Sequence, residues 1–173
     1  MATKALFITL NDLKRKSIIS GNTDDDKLIQ FVEVAQDLHI QNYLGGNLYD
    51  KLQDLILTDT LDDVANVNYK NLINQYVKPM LIWFSQSSYL PFASYNIGNG
   101  GIYKHIGDNK QAIDKDELVH LMGKVNETAD FYTRRFLDYM DYNNNLFPEY
   151  NTSTNEQMNP DTDSNFSGGI FLG

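Results

Sequence analysis

Histidines are the residues of this chain whose chemistry best suits proton transfer or metal binding, and there are three of them. His39, His105 and His120 are isolated in the sequence, and none forms the H-x-x-x-H or H-E-x-x-H pair that presents two imidazoles on one helix face. A shared site would therefore require the fold to bring them together. The absence of cysteine excludes disulfides, cysteine zinc sites and thiol catalysis, and no G-x-S-x-G nucleophile motif occurs. The sequence predicts no enzyme, with no catalytic, cofactor-binding or metal-binding residue.

One aspartate-rich stretch imitates the start of a calcium-binding loop. Asp161, Asp163 and Asn165 stand at alternate positions, as the first ligands of such a loop do. The sixth position is Phe166 where the loop needs glycine, and the twelfth is Leu172 where it needs glutamate. The stretch is therefore interpreted as a solvated acidic linker.

The remaining charged clusters have simple helical explanations. Thr23 is predicted to cap a helix whose first turn holds Asp24–Asp26, where the helix dipole favours negative charge. The alternative is an enzyme site built from these aspartates, with or without a metal, but helix capping explains them with fewer assumptions. Asp130 and Arg134, four residues apart, predict a surface ion pair. Lys14–Lys16 is the one basic cluster, and a solvated helix end is favoured over contact with nucleic acid.

Hydrophobic periodicity predicts a mainly α fold, a bundle of about four to five helices. Thr9 is predicted to cap a short first helix in which Leu13 and Ile18 face inward. Gly45 and Gly46 are predicted to end the second helix, and Pro79 to kink a central helix from about Tyr69 to Leu90. The inward face of the second helix is predicted to hold Leu28, Phe31, Val32, Ala35, Leu38 and His39.

A glycine-flanked stretch separates the last two long helices. Gly98–Gly101 lacks the Lys-Ser/Thr of a phosphate loop and is followed by a β-like run, so its glycines are assigned to a turn. The run Ile102–Ile106 predicts a β-hairpin or extended loop, with Ile102 and Lys104 on one face and Tyr103 and His105 on the other. Asp114 and Glu117 then form a capping box for the last long helix.

Composition divides the chain into a helical domain, 1–150, and a flexible tail, 151–173, rich in Asn, Ser, Thr, Asp and Gly. The net charge of -9 disfavours tight nucleic-acid binding. No segment reaches the about 18 apolar residues of a membrane span. The tail carries an apolar tip, Ile170, Phe171 and Leu172. The tip is predicted to anchor on a neighbouring subunit, and docking on its own core remains the alternative.

Several stretches together resemble the head–tail connector (adaptor or ring) proteins of tailed bacteriophages, including those of crAss-like phages. The resemblance spans about Ile8 to Tyr150 and is carried by a short leading helix followed by "GNTDDDKL", "IQNYLG", "LYDKL" and "NGGIYKHIGDN". It implies a structural virion protein at the head–tail junction, assembled in the host cytoplasm. It also implies a closed homo-oligomeric ring of about twelve subunits, which binds the portal and the next tail or ring component and surrounds passing DNA without specific binding. No cofactor, reaction or membrane is implied.

Contacts in such a ring are expected from exposed aromatic and apolar side chains. The candidate interaction residues are Ile102, Tyr103, Lys104, His105, Trp83, Ile170, Phe171 and Leu172. The alternative function is a soluble helical binding or regulatory module that acts as a monomer or dimer.

Overall fold

The structure is a computed structural model. It describes residues 4–19, 21–93, 95–98, 101–104, 114–152 and 158–163, with backbone only for 96–98 and 101–104. The protein is mainly helical, as the periodicity predicts. Its helices and strands are α1 (Leu10–Lys16), α2 (Asp25–Ala35), α3 (Gln41–Leu57), α4 (Val67–Leu72), α5 (Lys78–Tyr89), β1 (Tyr95–Gly98), β2 (Gly101–Lys104), α6 (Lys115–Asn143) and α7 (Pro148–Asn151).

Capping side chains set the starts of three helices. Thr9 caps α1 as predicted, and Asp12 completes a capping box with it. Asp114 forms the predicted capping box with Glu117. The predicted cap of α2 at Thr23 is wrong by one residue, because Asp24 accepts the N–H of Asp26 at 3.1 Å. An aspartate satisfies this orphan donor as well as a threonine does.

A π-helical turn, Gln36–Ile40, joins α2 to α3 and explains an error in the predicted core face. Its hydrogen bond runs from Gln41 N–H to the Gln36 carbonyl, so one extra residue enters the turn. The extra residue rotates the following face. Ile40 is consequently buried, whereas Leu38, predicted to face inward, is 63% exposed. Ile18, beyond the end of α1, is also exposed, and its neighbour Ile19 is buried in its place.

The helical path breaks inside α3 at Gly45, as predicted from the glycine pair. Gly45 has φ 72° and ψ 160°, a conformation that is almost confined to glycine. Helical geometry resumes at Gly46, so the two halves of α3 leave the break in different directions. This break creates a site at which another part of the chain docks.

The central helical stretch runs from Val67 to Tyr89 through a second π-helical turn, Ile73–Val77. Lys78 N–H bonds to the Ile73 carbonyl across this turn. The next residue, Pro79, has no N–H and would crowd the carbonyl four residues earlier in a regular α-helix. The distortion predicted at Pro79 therefore takes the form of a widened turn just before it.

The core forms where α5 packs between α2 and α6. Helix α5 is buried on two sides, which agrees with the predicted central position of this stretch. A second, smaller cluster near the start of α6 contains Leu90, Met122 and Val125. The largest fully buried side chains are Phe7, Phe84, Phe136, Phe147, Leu13, Leu28, Ile40, Leu44, Leu48, Leu52, Leu72 and Ile73.

Two buried glutamines hold the segment before α1 against α2 and α3. The Gln36 side chain accepts the Phe7 N–H at 2.8 Å and donates to the Ala5 carbonyl at 2.9 Å. The Gln53 side chain accepts the Ala5 N–H and donates to the same carbonyl, both at 2.7 Å. The segment before α1 belongs to no helix or sheet. The two glutamine side chains therefore supply the hydrogen-bond partners that its buried backbone groups need.

Strands β1 and β2 pair antiparallel, with Tyr95 opposite Lys104 and Gly98 opposite Gly101. The hairpin lies between α5 and α6 in the chain. Its first residue, Tyr95, lines a cavity together with Phe31 and Tyr89. None of the helices in the described part of the chain combines the length and the hydropathy needed to span a membrane.

Candidate interaction site

The structure places the sequence-predicted interaction residues in three separate situations. Ile102, Tyr103 and Lys104 lie on β2, where the backbone alone is described. Trp83 lies on α5. His105 and the apolar tip, Ile170–Leu172, lie outside the described residues.

Trp83 is half-buried and connects the two hydrophobic clusters of the domain. Its indole packs against the main core and also against the cluster of Leu90, Met122 and Val125. Much of its contact area is therefore used within its own chain. An interaction through Trp83 would use only the remaining exposed part of the ring.

An open apolar groove lies where α2 meets the end of α5, next to the start of the hairpin. The Phe31 ring packs edge-on against Tyr89, with centroids 5.4 Å apart, and lies 5.6 Å from the Phe92 ring. Two adjoining cavities of about 450 and 650 Å³ share Gln30, Phe31 and Phe92 in their walls. Val34 and Pro91 line the first cavity, and Tyr95 lines the second. We call this feature the α2–α5 groove.

Exposed apolar side chains continue from the α2–α5 groove along the chain toward Asn42. Phe92 is 56% exposed, Val34 is 46% exposed and Leu38, four residues beyond Val34, is 63% exposed. Phe31 and Val34 stand on α2, whereas Leu38 lies in the π-helical turn that shifts the phase of the helix. We call Phe31, Val34 and Leu38 the apolar row, which ends four residues before Asn42.

The segment 158–163 docks at that end of the row, beside the break at Gly45. Gly46 N–H donates to the Met158 carbonyl at 2.7 Å, and Asp161 N–H donates to the Asn42 carbonyl at 2.9 Å. The Asn42 side chain also donates to the Asp161 carboxylate at 3.2 Å. We call these contacts the clasp. They lie within the range 151–173, for which the sequence predicts flexibility, and they use backbone groups freed by the helix break.

Close packing reinforces the clasp at Gly45. A Cβ atom on Gly45 would lie 2.7 Å from Pro160 Cδ and 2.9 Å from Pro160 N. Only a residue without a side chain leaves room for Pro160 at this distance. Glycine therefore serves both the backbone turn and the close approach of the docked segment.

The clasp brings acidic groups near the Tyr43 ring. Burial raises the pKa of the Tyr43 hydroxyl to about 12, and the charges of Asp161, Asp130 and Asp163 add to the increase. Burial also raises the pKa of Asp130, and Arg134 only partly offsets this. Among the described residues, Asp130 Oδ1 has no hydrogen-bond partner and Asp130 forms no salt bridge with Arg134, so the predicted ion pair is wrong.

The histidines do not gather at this surface. His39 stacks on Phe84 with ring centroids 4.0 Å apart, and burial lowers its pKa to about 4. His120 is exposed on α6. Across the described ranges, no group of three His, Asp or Glu side chains is arranged to hold a metal ion.

The basic cluster Lys14–Lys16 contributes to the domain's own structure. Lys14 forms a salt bridge with Asp25 and donates to the Gly21 carbonyl at 3.1 Å. It therefore ties the end of α1 to the start of α2. The cluster stands at the end of α1 as interpreted, but Lys14 is not a solvated residue, because its side chain is only 17% exposed.

Comparison with known protein families identifies the family of this chain. Residues 40–159 match the model of a family of unknown function, DUF6712. The matched range contains the break at Gly45, the hairpin and Met158 of the clasp, whereas Phe31 and Val34 of the groove precede it. No curated protein and no solved structure matches the chain.

Proposed function

We propose that this chain, which belongs to the DUF6712 family, is a structural subunit of a phage head–tail connector. It forms a homo-oligomeric ring at the head–tail junction, below the portal, and docks the next tail component. The ring extends the channel through which DNA passes.

The observation that carries this proposal is the two-stranded hairpin between α5 and α6. Its two strands pair with each other, so each keeps one outer edge without a strand partner in the described ranges. Such an edge accepts a further strand by backbone hydrogen bonds. An arm of this kind, directed at a different surface of the next copy, is suited to the head-to-tail contacts that close a ring.

The charge of the chain supports a role beside moving DNA. The net charge is -9, with 14 basic and 23 acidic residues. Phosphate binding depends on lysine and arginine contacts that release counterions. A net negative charge therefore disfavours tight binding of the DNA that would pass through the ring.

The α2–α5 groove supports a second candidate, a helical binding or regulatory module that acts as a monomer or dimer. Exposed Phe92, Val34 and Leu38 offer an apolar row of the kind that receives an amphipathic helix or an extended peptide. A module of this kind needs no ring. The oligomeric state therefore separates the two candidates.

Co-expression with the portal protein encoded in the same genome, followed by negative-stain imaging, tests the proposal. Closed rings attached to portal particles are expected. The arm is tested by replacing residues 96–103 with a Gly-Ser linker, which is expected to abolish ring formation. The replacement should leave the thermal unfolding of the helical domain nearly unchanged, because no extensive packing joins the strands to the helices within the described residues. Monomers or dimers that never bind portal would favour the second candidate.

A further inference from the structure

The α2–α5 groove is an apolar surface that the described residues leave open. Phe92 and Val34 are each about half exposed, although Phe31 between them already packs with Tyr89. Apolar surface of this kind is usually covered by a partner or by another part of the same chain. The question is which segment covers it.

The clasp determines where the rest of the chain starts. Asp161 is bonded to both the backbone carbonyl and the side chain of Asn42. Asn42 follows Leu38, the last residue of the apolar row, by four residues. The segment 164–173 therefore begins at one end of the apolar row that leads to the groove.

The reach of this segment matches the distance to the groove. Asn42 and Phe31 are eleven residues apart, which corresponds to about 17 Å along a helix. Asp163 and Ile170 are seven residues apart, and an extended chain of that length spans up to about 25 Å. The tip can therefore reach the groove without any change in the clasp.

The chemistry of the segment also fits the groove. Residues 164–173 read SNFSGGIFLG and contain no charged side chain, on a chain of net charge -9. The first cavity is lined by uncharged side chains, Gln30, Phe31, Val34, Ser88, Pro91 and Phe92. An uncharged apolar tip enters such a cavity without placing a charge against its apolar walls.

We propose that the α2–α5 groove is the docking site for the apolar tip Ile170–Leu172 of the same chain. The clasp tethers the tip, and tethering over a short linker gives an effective concentration of about millimolar. A few apolar contacts then suffice for occupancy. The proposal concerns the free chain and does not depend on the ring, so rings can form whether or not the tip occupies its own groove.

The cysteine-free sequence allows a direct test by disulfide trapping in the full chain. Val34→Cys combined with Phe171→Cys is expected to form an intramolecular disulfide under mild oxidation, seen as a faster-migrating monomer on a non-reducing gel. The matched control combines Phe171→Cys with Val64→Cys, because Val64 is 91% exposed and lies outside the groove. The control pair is expected to react at least about tenfold more slowly, the difference that about 1.4 kcal/mol of docking would give.

A groove substitution identifies the surface responsible. Phe92→Asp in the Val34→Cys/Phe171→Cys chain places a carboxylate in the groove and is expected to slow trapping toward the rate of the control pair. Equal trapping at Val34→Cys and Val64→Cys, or trapping that Phe92→Asp leaves unchanged, would overturn the proposal. Disulfide-linked dimers in place of the intramolecular product would also overturn it, because they would assign the groove to the tip of a second copy.

Discussion

Replacing Gly45 with alanine tests the linked roles of the helix break and the clasp. The backbone at Gly45 has φ 72° and ψ 160°. A side chain in that region costs about 1–3 kcal/mol in backbone strain. The new Cβ would also lie 2.7 Å from Pro160 Cδ, which is closer than non-bonded carbon atoms approach.

The cost of relieving this clash can be worked out from the clasp itself. If the segment 158–163 moves away, the hydrogen bonds Gly46 N–H to Met158 and Asp161 N–H to Asn42 are lost. Each backbone hydrogen bond contributes about 0.5–1.5 kcal/mol net. Together with the strain, Gly45→Ala should lower the free energy of unfolding by about 2–6 kcal/mol.

Urea denaturation measures the total, and amide hydrogen exchange at Asp161 reports the clasp. Gly123→Ala is the matched control, because Gly123 lies within α6 and a Cβ there meets no atom within 4 Å. That control should raise stability by about 0.5–1 kcal/mol, the usual gain when alanine replaces glycine inside a helix. A Gly45→Ala protein with unchanged stability and a protected Asp161 amide would refute the reasoning.

Two further predictions concern buried polar groups. Gln36→Leu removes the acceptor of the buried Phe7 N–H and should lower the free energy of unfolding by about 1–3 kcal/mol, with faster exchange of the Phe7 amide. Unchanged exchange of the Phe7 amide would contradict the role of Gln36 in holding the segment before α1. His39 has its pKa lowered by burial from 6.5 to about 4, so the unfolded chain binds the proton more readily. Neutral His39 therefore makes its full contribution to folding stability above about pH 6.5, and this contribution is lost as the pH falls toward about 4. Between pH 7 and pH 5 the free energy of unfolding that depends on His39 should fall by about 1–2 kcal/mol after allowance for partial exposure. Urea denaturation of the parent chain and of His39→Gln at both pH values measures this difference. Identical pH profiles of the two proteins would show that His39 is not buried as described.

Features with a local physical cause were predictable from the sequence. The capping boxes at the starts of α1 and α6 need only two side chains three residues apart. The break at Gly45 follows from the freedom of glycine at positive φ. The central helical stretch was predictable because its apolar positions recur over many turns.

The π-helical turns were not predictable from periodicity. A single extra residue at Gln36–Ile40 changes the phase of the helix, so Leu38 turns outward and Ile40 turns inward. Helical periodicity assumes a constant angle per residue and cannot detect such an insertion. The position of Pro79 gave a usable signal for the second turn, because a proline inside a helix requires some distortion before it.

Long-range polar contacts were missed for a different reason. Gln36 and Gln53 look like ordinary helix-surface residues in the sequence, yet their partners lie 29 to 48 positions away. The clasp joins Asn42 to Asp161, which are 119 positions apart. The polar composition of the segment 158–163 indicates a solvated stretch, and the segment shows no helical or strand periodicity. One available signal was the pair of glycines, because a helix break exposes backbone groups that need partners.

The α2–α5 groove could be anticipated only in part. Phe31 was predicted on the inward face of α2, but the exposed Phe92 follows α5 in a short 3₁₀ turn, Leu90–Phe92, that no periodic pattern marks. The hairpin or extended loop had a local signal, because glycines flank the β-like run Ile102–Ile106. The groove had no such signal and required the packing of distant helices.

The most direct test of the proposed connector function is the mass of the particle formed with the portal protein from the same genome. Mass photometry of the co-expressed complex, with negative-stain imaging of the same sample, counts the bound copies and shows their arrangement. The connector proposal predicts a closed ring of about twelve copies on each portal. A chain that stays monomeric or dimeric in the presence of assembled portal, without bound copies, would contradict it.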